Sequence, residues 1–179
     1  PFQEPSSIYP YPRAAHTAII YNDEMVIFGG VTNTSTFDAT EGSDGGSYVG
    51  AGGLLLLNDV WSYNLADNGW TYLNISAVNG TVTKPSPRFD SGALLYQEDL
   101  MILFGGYEYQ TSGTQKILTP SYAAWNFNIT SRTWVKFSSI EAQVSDVQSV
   151  PIQYTGDTYI SATYSTLFVM GMYRKLSLY

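Results

Sequence analysis

The feature that most constrains this chain is a set of landmarks written twice and begun a third time. The first copy sets Pro12-Arg13 and His16 before an apolar run ending at Tyr21. It turns at Asp23-Glu24 and climbs from Met25 to Phe28 into Gly29-Gly30. The second sets Pro87-Arg88 before a run ending at Tyr96, turns at Glu98-Asp99, and climbs from Met101 to Phe104 into Gly105-Gly106. Further on, Trp61, Tyr63, Asn64 and Trp70 match Trp125, Phe127, Asn128 and Trp134 with every spacing kept. A third copy starts near Gly156 and passes Tyr164 and Leu167 to Met170 and Gly171, with Met172 where a second glycine would fall. Recurrence of this kind means that one small structural unit is rebuilt, and such a unit buries its apolar face only against its neighbours.

Each copy reads as four short strands. Apolar runs of about four to eight residues, rich in Ile, Val, Tyr and Trp and broken by Asn, Asp and Gly, are strand signals. No segment keeps a helical period. The expected fold is all-β, with units at residues 12–73 and 87–137 and a partial unit at 151–179. A glycine pair closing the second strand of each unit admits positive φ and a backbone approach that a Cβ forbids.

Together, Arg13, His16, Gly29, Gly30, Asn58-Asp59, Trp61, Tyr63 and Trp70 resemble the kelch motif. Arg88, Gly105, Gly106, Trp125, Phe127 and Trp134 repeat it. The second copy departs from the first by Ser91 for His16 and Tyr122-Ala123 for Asn58-Asp59; the third lacks the arginine and the paired glycines. The resemblance implies a kelch-type β-propeller, with four-stranded antiparallel blades packed radially around a channel. It places His16 in the innermost strand, where crowding suits Ala14, Ala15, Thr17, Ala18, Gly92 and Ala93. The Trp and Tyr residues then fill the gaps between blades. A whole ring has about six or seven blades of about 50 residues, so this chain supplies a partial ring of about two and a half to three. An open arc leaves sheet faces and edges bare. The chain, which opens at Pro1, is therefore expected to be a mature or internal fragment, its ring completed by further blades of a longer chain or by another chain.

Charge and composition narrow the partners. With 8 basic and 15 acidic residues the net charge is -7. That disfavours nucleic acid, which is bound by clustered Lys and Arg, and anionic membrane surfaces. No apolar run approaches the ~20 residues that cross a bilayer. The longest, Leu54 to Leu57, reads as a short buried strand or a loop. The absence of cysteine removes disulfides, cysteine-ligated zinc and thiol catalysis. His16 is the sole histidine, which leaves no histidine-based triad or metal cluster and favours a structural role. Arg13 and Arg88 recur at equivalent positions and are expected to bond strand-end carbonyls or carboxylates. Asp23-Glu24 and Glu98-Asp99 read as solvated turn charges. No cofactor is expected.

Chain direction places short turns (22–24, 66–69, 97–99, 129–133) at one end of the blades. The long connections (31–57, 74–86, 107–121, 138–150) fall at the other. Long loops on a rigid scaffold are where recognition sits, and Tyr48, Tyr107 and Tyr109 are their aromatic candidates. Asp38, Glu41 and Asp44 crowd one loop, but their spacing matches no calcium loop and reads as a polar insertion. Four N-glycosylation sequons start at Asn33, Asn74, Asn79 and Asn128, the first three placed on the long-loop face. The leading reading is a non-enzymatic, protein-binding or structural scaffold, extracellular or at the cell surface. Two alternatives stand beside it. One is an oxidase on kelch-like blades, whose copper site needs a cysteine-tyrosine crosslink and histidine ligands; with no cysteine and a single histidine in this chain, its active site would lie in missing blades. The other is a cytoplasmic substrate adaptor.

Overall fold

The computed structural model describes residues 9–33, 48–49, 54–96, 98–113, 115–121, 123–136, 159–163 and 166–170. Among them every regular element is a strand. The first sheet contains β1 (Thr17–Tyr21), β2 (Glu24–Asn33), β3 (Tyr48–Val49), β4 (Leu54–Asn64) and β5 (Gly69–Tyr72). β1, β2, β4 and β5 form a four-stranded antiparallel blade, and β3 adds to the far end of β4. The second sheet contains β6 (Arg88–Tyr96), β7 (Leu100–Ser112), β8 (Gln115–Pro120), β9 (Ala124–Asn128) and β10 (Thr133–Lys136). Its blade order is β10-β9-β7-β6, with β8 on the far end of β7. β11 (Tyr159–Thr163) and β12 (Thr166–Met170) pair antiparallel within the third copy.

Period-two patterning and turn chemistry produce these elements. In β1, Thr17 and Ile19 are buried while Ala18 and Ile20 face outward. The β1–β2 hairpin closes on Asn22 and Asp23, at φ 47° and 61°. Asn and Asp adopt that left-handed conformation more readily than other non-glycine residues, and a two-residue hairpin demands it. Asn64 Oδ1 accepts the Ala66 and Asp67 N–H groups at 2.9 Å, and Asn128 Oδ1 accepts the Ser131 N–H at 2.7 Å. The recurring asparagine is thus a turn-former in both blades.

The core lies between the blades. One face of the first sheet (Ile19, Val26, Phe28, Val60), with Leu73, meets Met101, Leu103, Trp125, Phe127, Ile129 and Trp134 of the second. Trp134 packs edge-on to Phe28 with ring centres 5.2 Å apart, and against Phe127 at 4.7 Å. Strand alternation sends Ile102, Phe104 and Ala124 to the opposite face of the second sheet. In the first sheet the corresponding alternation sends Trp61, Tyr63, Trp70 and Tyr72 to the face away from the second. There they pair as Trp61–Tyr72 and Tyr63–Trp70, 5.2 and 4.9 Å between centres. The segment entering β1 meets β6 through an Asp90 N–H that donates to Ala15 O at 2.9 Å.

The glycine pair serves two purposes. Gly29 and Gly30 lie at φ 64° and 99°, at a register shift between Phe28 and Gly30 that lets β2 continue. A Cβ on Gly29 would sit 2.7 Å from the Arg88 carbonyl of the next blade, so this glycine also sets how closely the blades approach. Gly106, at φ 82°, would place a Cβ 2.6 Å from Phe89 O on its own inner strand.

Four expectations need correction. The stretch 107–121 is not a loop: β7 runs on through Ser112 and returns as β8, a ribbon paired from Tyr107↔Pro120 to Ser112↔Gln115. Likewise β2 passes Gly29-Gly30 to Asn33 and pairs with Leu54 to Leu57, which are strand. The glycines bend each strand rather than end it. Crowding at the axis does not explain Ala14 and Ala18, which are exposed; Gly92 does lie beneath the Phe104 ring. His16 stands one residue ahead of β1 and is exposed.

Truncating Trp134 removes a ring shared by both blades, so Trp134→Ala is expected to cost about 3–5 kcal/mol in urea unfolding. Its neighbour Val135, 59% exposed, should tolerate alanine with little change.

Candidate functional site

The end of each complete blade beyond the glycine pair begins at an arginine. Arg13 Nε donates to Tyr11 O at 3.2 Å and Nη1 to Gly29 O at 3.0 Å. Its two Nη atoms grip Asp59 at 2.6 and 2.8 Å. Asp59 also accepts Trp61 Nε1 at 2.8 Å. Only 3% of the Arg13 side chain and 16% of the Asp59 side chain are exposed. A guanidinium this dry is accommodated because its donors meet a carboxylate and a carbonyl in fork geometry.

In the second blade Ala123 stands where Asp59 stood, and the carboxylate comes from elsewhere. Arg88 Nε donates to Ser86 O and Nη1 to Gly105 O, both at 3.1 Å, repeating the first blade. Nη1 also meets Ser121 Oγ at 2.8 Å, while Nη2 reaches Ser86 Oγ at 2.6 Å and Glu108 Oε2 at 2.7 Å. Ser86 Oγ donates in turn to Glu108. Burial lowers the Arg88 pKa, and the Glu108 charge opposes the fall. Glu108 belongs to the base of the β7–β8 ribbon, so this ion pair fastens the ribbon to its blade. The replacement leaves Trp125 Nε1 buried with no hydrogen-bond partner, where Trp61 Nε1 has Asp59. Ala123 for Asp59 is visible in the sequence; Glu108 as the substitute is not, because it lies past the glycines where a loop was expected.

The ribbon carries the candidate tyrosines. Tyr107 stacks on Phe89, its ladder partner, with ring centres 5.6 Å apart and planes at 23°, so it packs on its own blade. Tyr109 is half-buried opposite Leu118. Ile117 and Leu118 are 46% and 42% exposed; sequence reasoning passed over both, although they are the apolar residues of an otherwise polar stretch. Tyr48 stands opposite Leu56 in the ladder of the first blade's extension. Asp38, Glu41 and Asp44 lie outside the described residues.

Two residues, one just ahead of β1 and one in β6, hold an uncommon backbone. Ala15 and Asp90, equivalent in the repeat, lie at φ 53° and 54°. Aspartate tolerates that region; alanine gives no sequence warning. Burial raises the Asp90 pKa. Partial burial, then the Arg13 charge, lowers that of His16.

The sequon asparagines differ in surroundings. Asn74 and Asn79 are exposed, and so is Asn33 at the end of β2. Asn128 is half-buried, its Nδ2 donating to Asp99 Oδ2 at 2.9 Å while its Oδ1 caps the turn. A sugar on Nδ2 would displace Asp99. Placement of the whole 74–86 connection on the long-connection end also needs correction. The Ser76 N–H bonds Arg132 O at 2.8 Å, in the short turn between β9 and β10. Just before this connection Leu73, past the end of β5, fills the core, its N–H bonding Val60 O at 2.9 Å.

Asp59→Ala strands a dry guanidinium and is expected to cost about 3–5 kcal/mol; an Arg13/Asp59 double-mutant cycle in urea measures the coupling. Asp90→Asn keeps a residue suited to positive φ and removes a charge that burial penalises. The variant should be the more stable at neutral pH. Its advantage should shrink as acid protonates Asp90 in the wild type and level off below the ordinary carboxyl range, as thermal unfolding across pH will show.

Comparison with curated proteins finds no match. A family model, the KLHDC2/KLHL20/DRC7 Kelch-repeats domain, matches residues 3–162. That span covers both complete blades and the start of the third, and the antiparallel four-stranded sheets match it in architecture, so the chain belongs to the kelch-repeat family and forms part of a β-propeller.

Proposed function

We propose that this chain is a non-enzymatic protein-binding scaffold, with its partner surface on the strand extensions beyond the glycine pairs. Kelch domains mediate protein–protein interaction, and the family gives that coarse reading. The observation that carries the finer one is the β7–β8 ribbon, held at its base by the buried Arg88–Glu108 pair and presenting Tyr109, Ile117 and Leu118. A two-stranded ribbon is only marginally stable in water alone, so one fixed to a blade and carrying exposed apolar residues suits docking. The first blade extends at the same end through β2, β3 and β4.

The ring is completed in this proposal by further blades. On the face of the first blade turned from the second, Ile20 is 58% exposed beside the Trp61–Tyr72 and Tyr63–Trp70 pairs. In the second blade the equivalents of Trp61, Tyr63 and Trp70 are the residues that dock on Phe28 and Val60. A face like that of Phe28 and Val60 is what this surface would accept.

An extracellular or cell-surface location with N-linked glycans completes the proposal. It is supported by sequons at exposed Asn74 and Asn79, on a segment that bonds the short turn between β9 and β10 through Ser76.

In full-length protein purified with its native partner, Tyr109→Ala and Leu118→Asp should abolish co-purification while leaving the unfolding midpoint unchanged. Tyr107→Ala should also lower that midpoint, because it loses Phe89. Undiminished partner in both surface variants would refute the docking site. Expressed in a secreting eukaryotic cell, the protein should shift in mass on deglycosylation, and Asn74→Gln and Asn79→Gln should each remove part of that shift. Asn128→Gln should leave the glycan mass unchanged and reduce stability. Unmodified asparagines in native material would favour the cytoplasmic adaptor.

A further inference from the structure

The chain contains two Asn-Gly steps, Asn68-Gly69 and Asn79-Gly80. In an open chain the two have the same intrinsic chemistry. The backbone nitrogen of the glycine attacks Cγ of the asparagine, the Cγ–Nδ2 bond breaks, and ammonia leaves with the proton given up by the glycine nitrogen. Water then adds to either carbonyl of the resulting succinimide, giving aspartate or isoaspartate. Glycine is the most permissive residue after the asparagine because no side chain hinders the attacking nitrogen.

The fold treats the two sites differently. Asn68 closes the β4–β5 turn, and its Oδ1 accepts the Tyr63 hydroxyl at 2.8 Å. Gly69 is already the first residue of β5, opposite Asn64 in a ladder that continues through Trp70 and Tyr72. Rotating the Asn68 carboxamide onto Gly69 N breaks the first bond and pulls at the second. Asn79 and Gly80 sit at the tip of a hairpin held by one isolated bridge, Val78 to Thr81, with N···O distances of 2.9 and 3.0 Å. Both tip residues have positive φ, 51° and 78°, both are exposed, and a Cβ on Gly80 would meet nothing within 4 Å. The Asn79 carboxamide bonds to no described residue. Opening this tip costs one bridge at the protein surface, whereas opening the other disturbs a strand of the blade.

We propose that Asn79 is a site of spontaneous deamidation in the folded protein and that Asn68, with the same sequence step, is protected by the blade. Conversion adds a negative charge at the rim. As isoaspartate it also inserts a methylene into the backbone of the hairpin, and in either form it destroys the sequon. Glycosylation and deamidation therefore compete for one amide nitrogen: a sugar on Nδ2 protects Asn79, and a converted residue can no longer receive one. The deamidation chemistry holds independently of the partner surface proposed above.

The test uses full-length protein made in bacteria, which leaves the sequons bare. Samples are incubated in mildly alkaline buffer made with ¹⁸O-water, folded and in urea, and mapped by peptide mass spectrometry. Asn79 should take up label nearly as fast in the folded protein as in urea, whereas Asn68 should take it up in urea and lag many-fold when folded. Gly80→Ala should slow labelling at Asn79 many-fold and leave Asn68 unchanged. Equal rates at the two sites in the folded protein, or an Asn79 that reacts only in urea, would overturn the proposal.

Discussion

A guanidinium with almost no access to water stands where each blade gives way to its extension, and the rest of the architecture is arranged around keeping it paired. Arg13 and Arg88 each reach back to the backbone carbonyl of the first glycine in the pair, Gly29 O and Gly105 O. That contact links the entry to the inner strand with the bend in the second strand, some sixteen residues apart in the first blade. A charge so placed is tolerable only with a carboxylate beside it, because an unpaired buried ion costs several kcal/mol. The two blades meet that demand differently, with Asp59 on the third strand of one and Glu108 on the ribbon of the other.

Changing the source of the carboxylate changes what the blade does. Asp59 ties the arginine to a core strand and satisfies Trp61 at the same time. Glu108 ties it to an element that projects away from the blade, and Trp125 loses its acceptor. The second blade gives up one buried hydrogen bond, and its ribbon acquires a fixed base. A scaffold that holds a recognition element in one orientation lowers the ordering cost of binding.

The aromatic landmarks follow a second rule, imposed by packing between blades. The same sequence position faces the same way in both complete blades, so Trp134 meets Phe28 while Trp70, its equivalent, is turned away from the second blade. Gly29 belongs to this interface as much as to its own strand, since the Arg88 carbonyl of the next blade occupies the space of its missing Cβ. Conformational freedom alone would not show that dependence; it appears once two copies are seen in contact.

Strand identity, blade order and the inter-blade role of the tryptophans were legible in the sequence because alternation, turn residues and aromatic spacing are local or simply periodic. Tyr21, Asn64 and Asn128 could be placed from pattern alone. The extent of β2 and β7 could not, since a glycine pair signals a bend and a stop equally well, and only ladder partners such as Pro120 for Tyr107 distinguish them. Glu108 was hidden for the same reason. The sequence by itself settled that one small sheet is rebuilt along the chain. Tertiary structure alone decided which carboxylate neutralises each arginine, which sequon asparagine is locked into a turn, and which tyrosine lies flat on a neighbour. Those outcomes depend on contacts between residues distant in the chain, and local chemical preference carries no information about what the fold brings alongside.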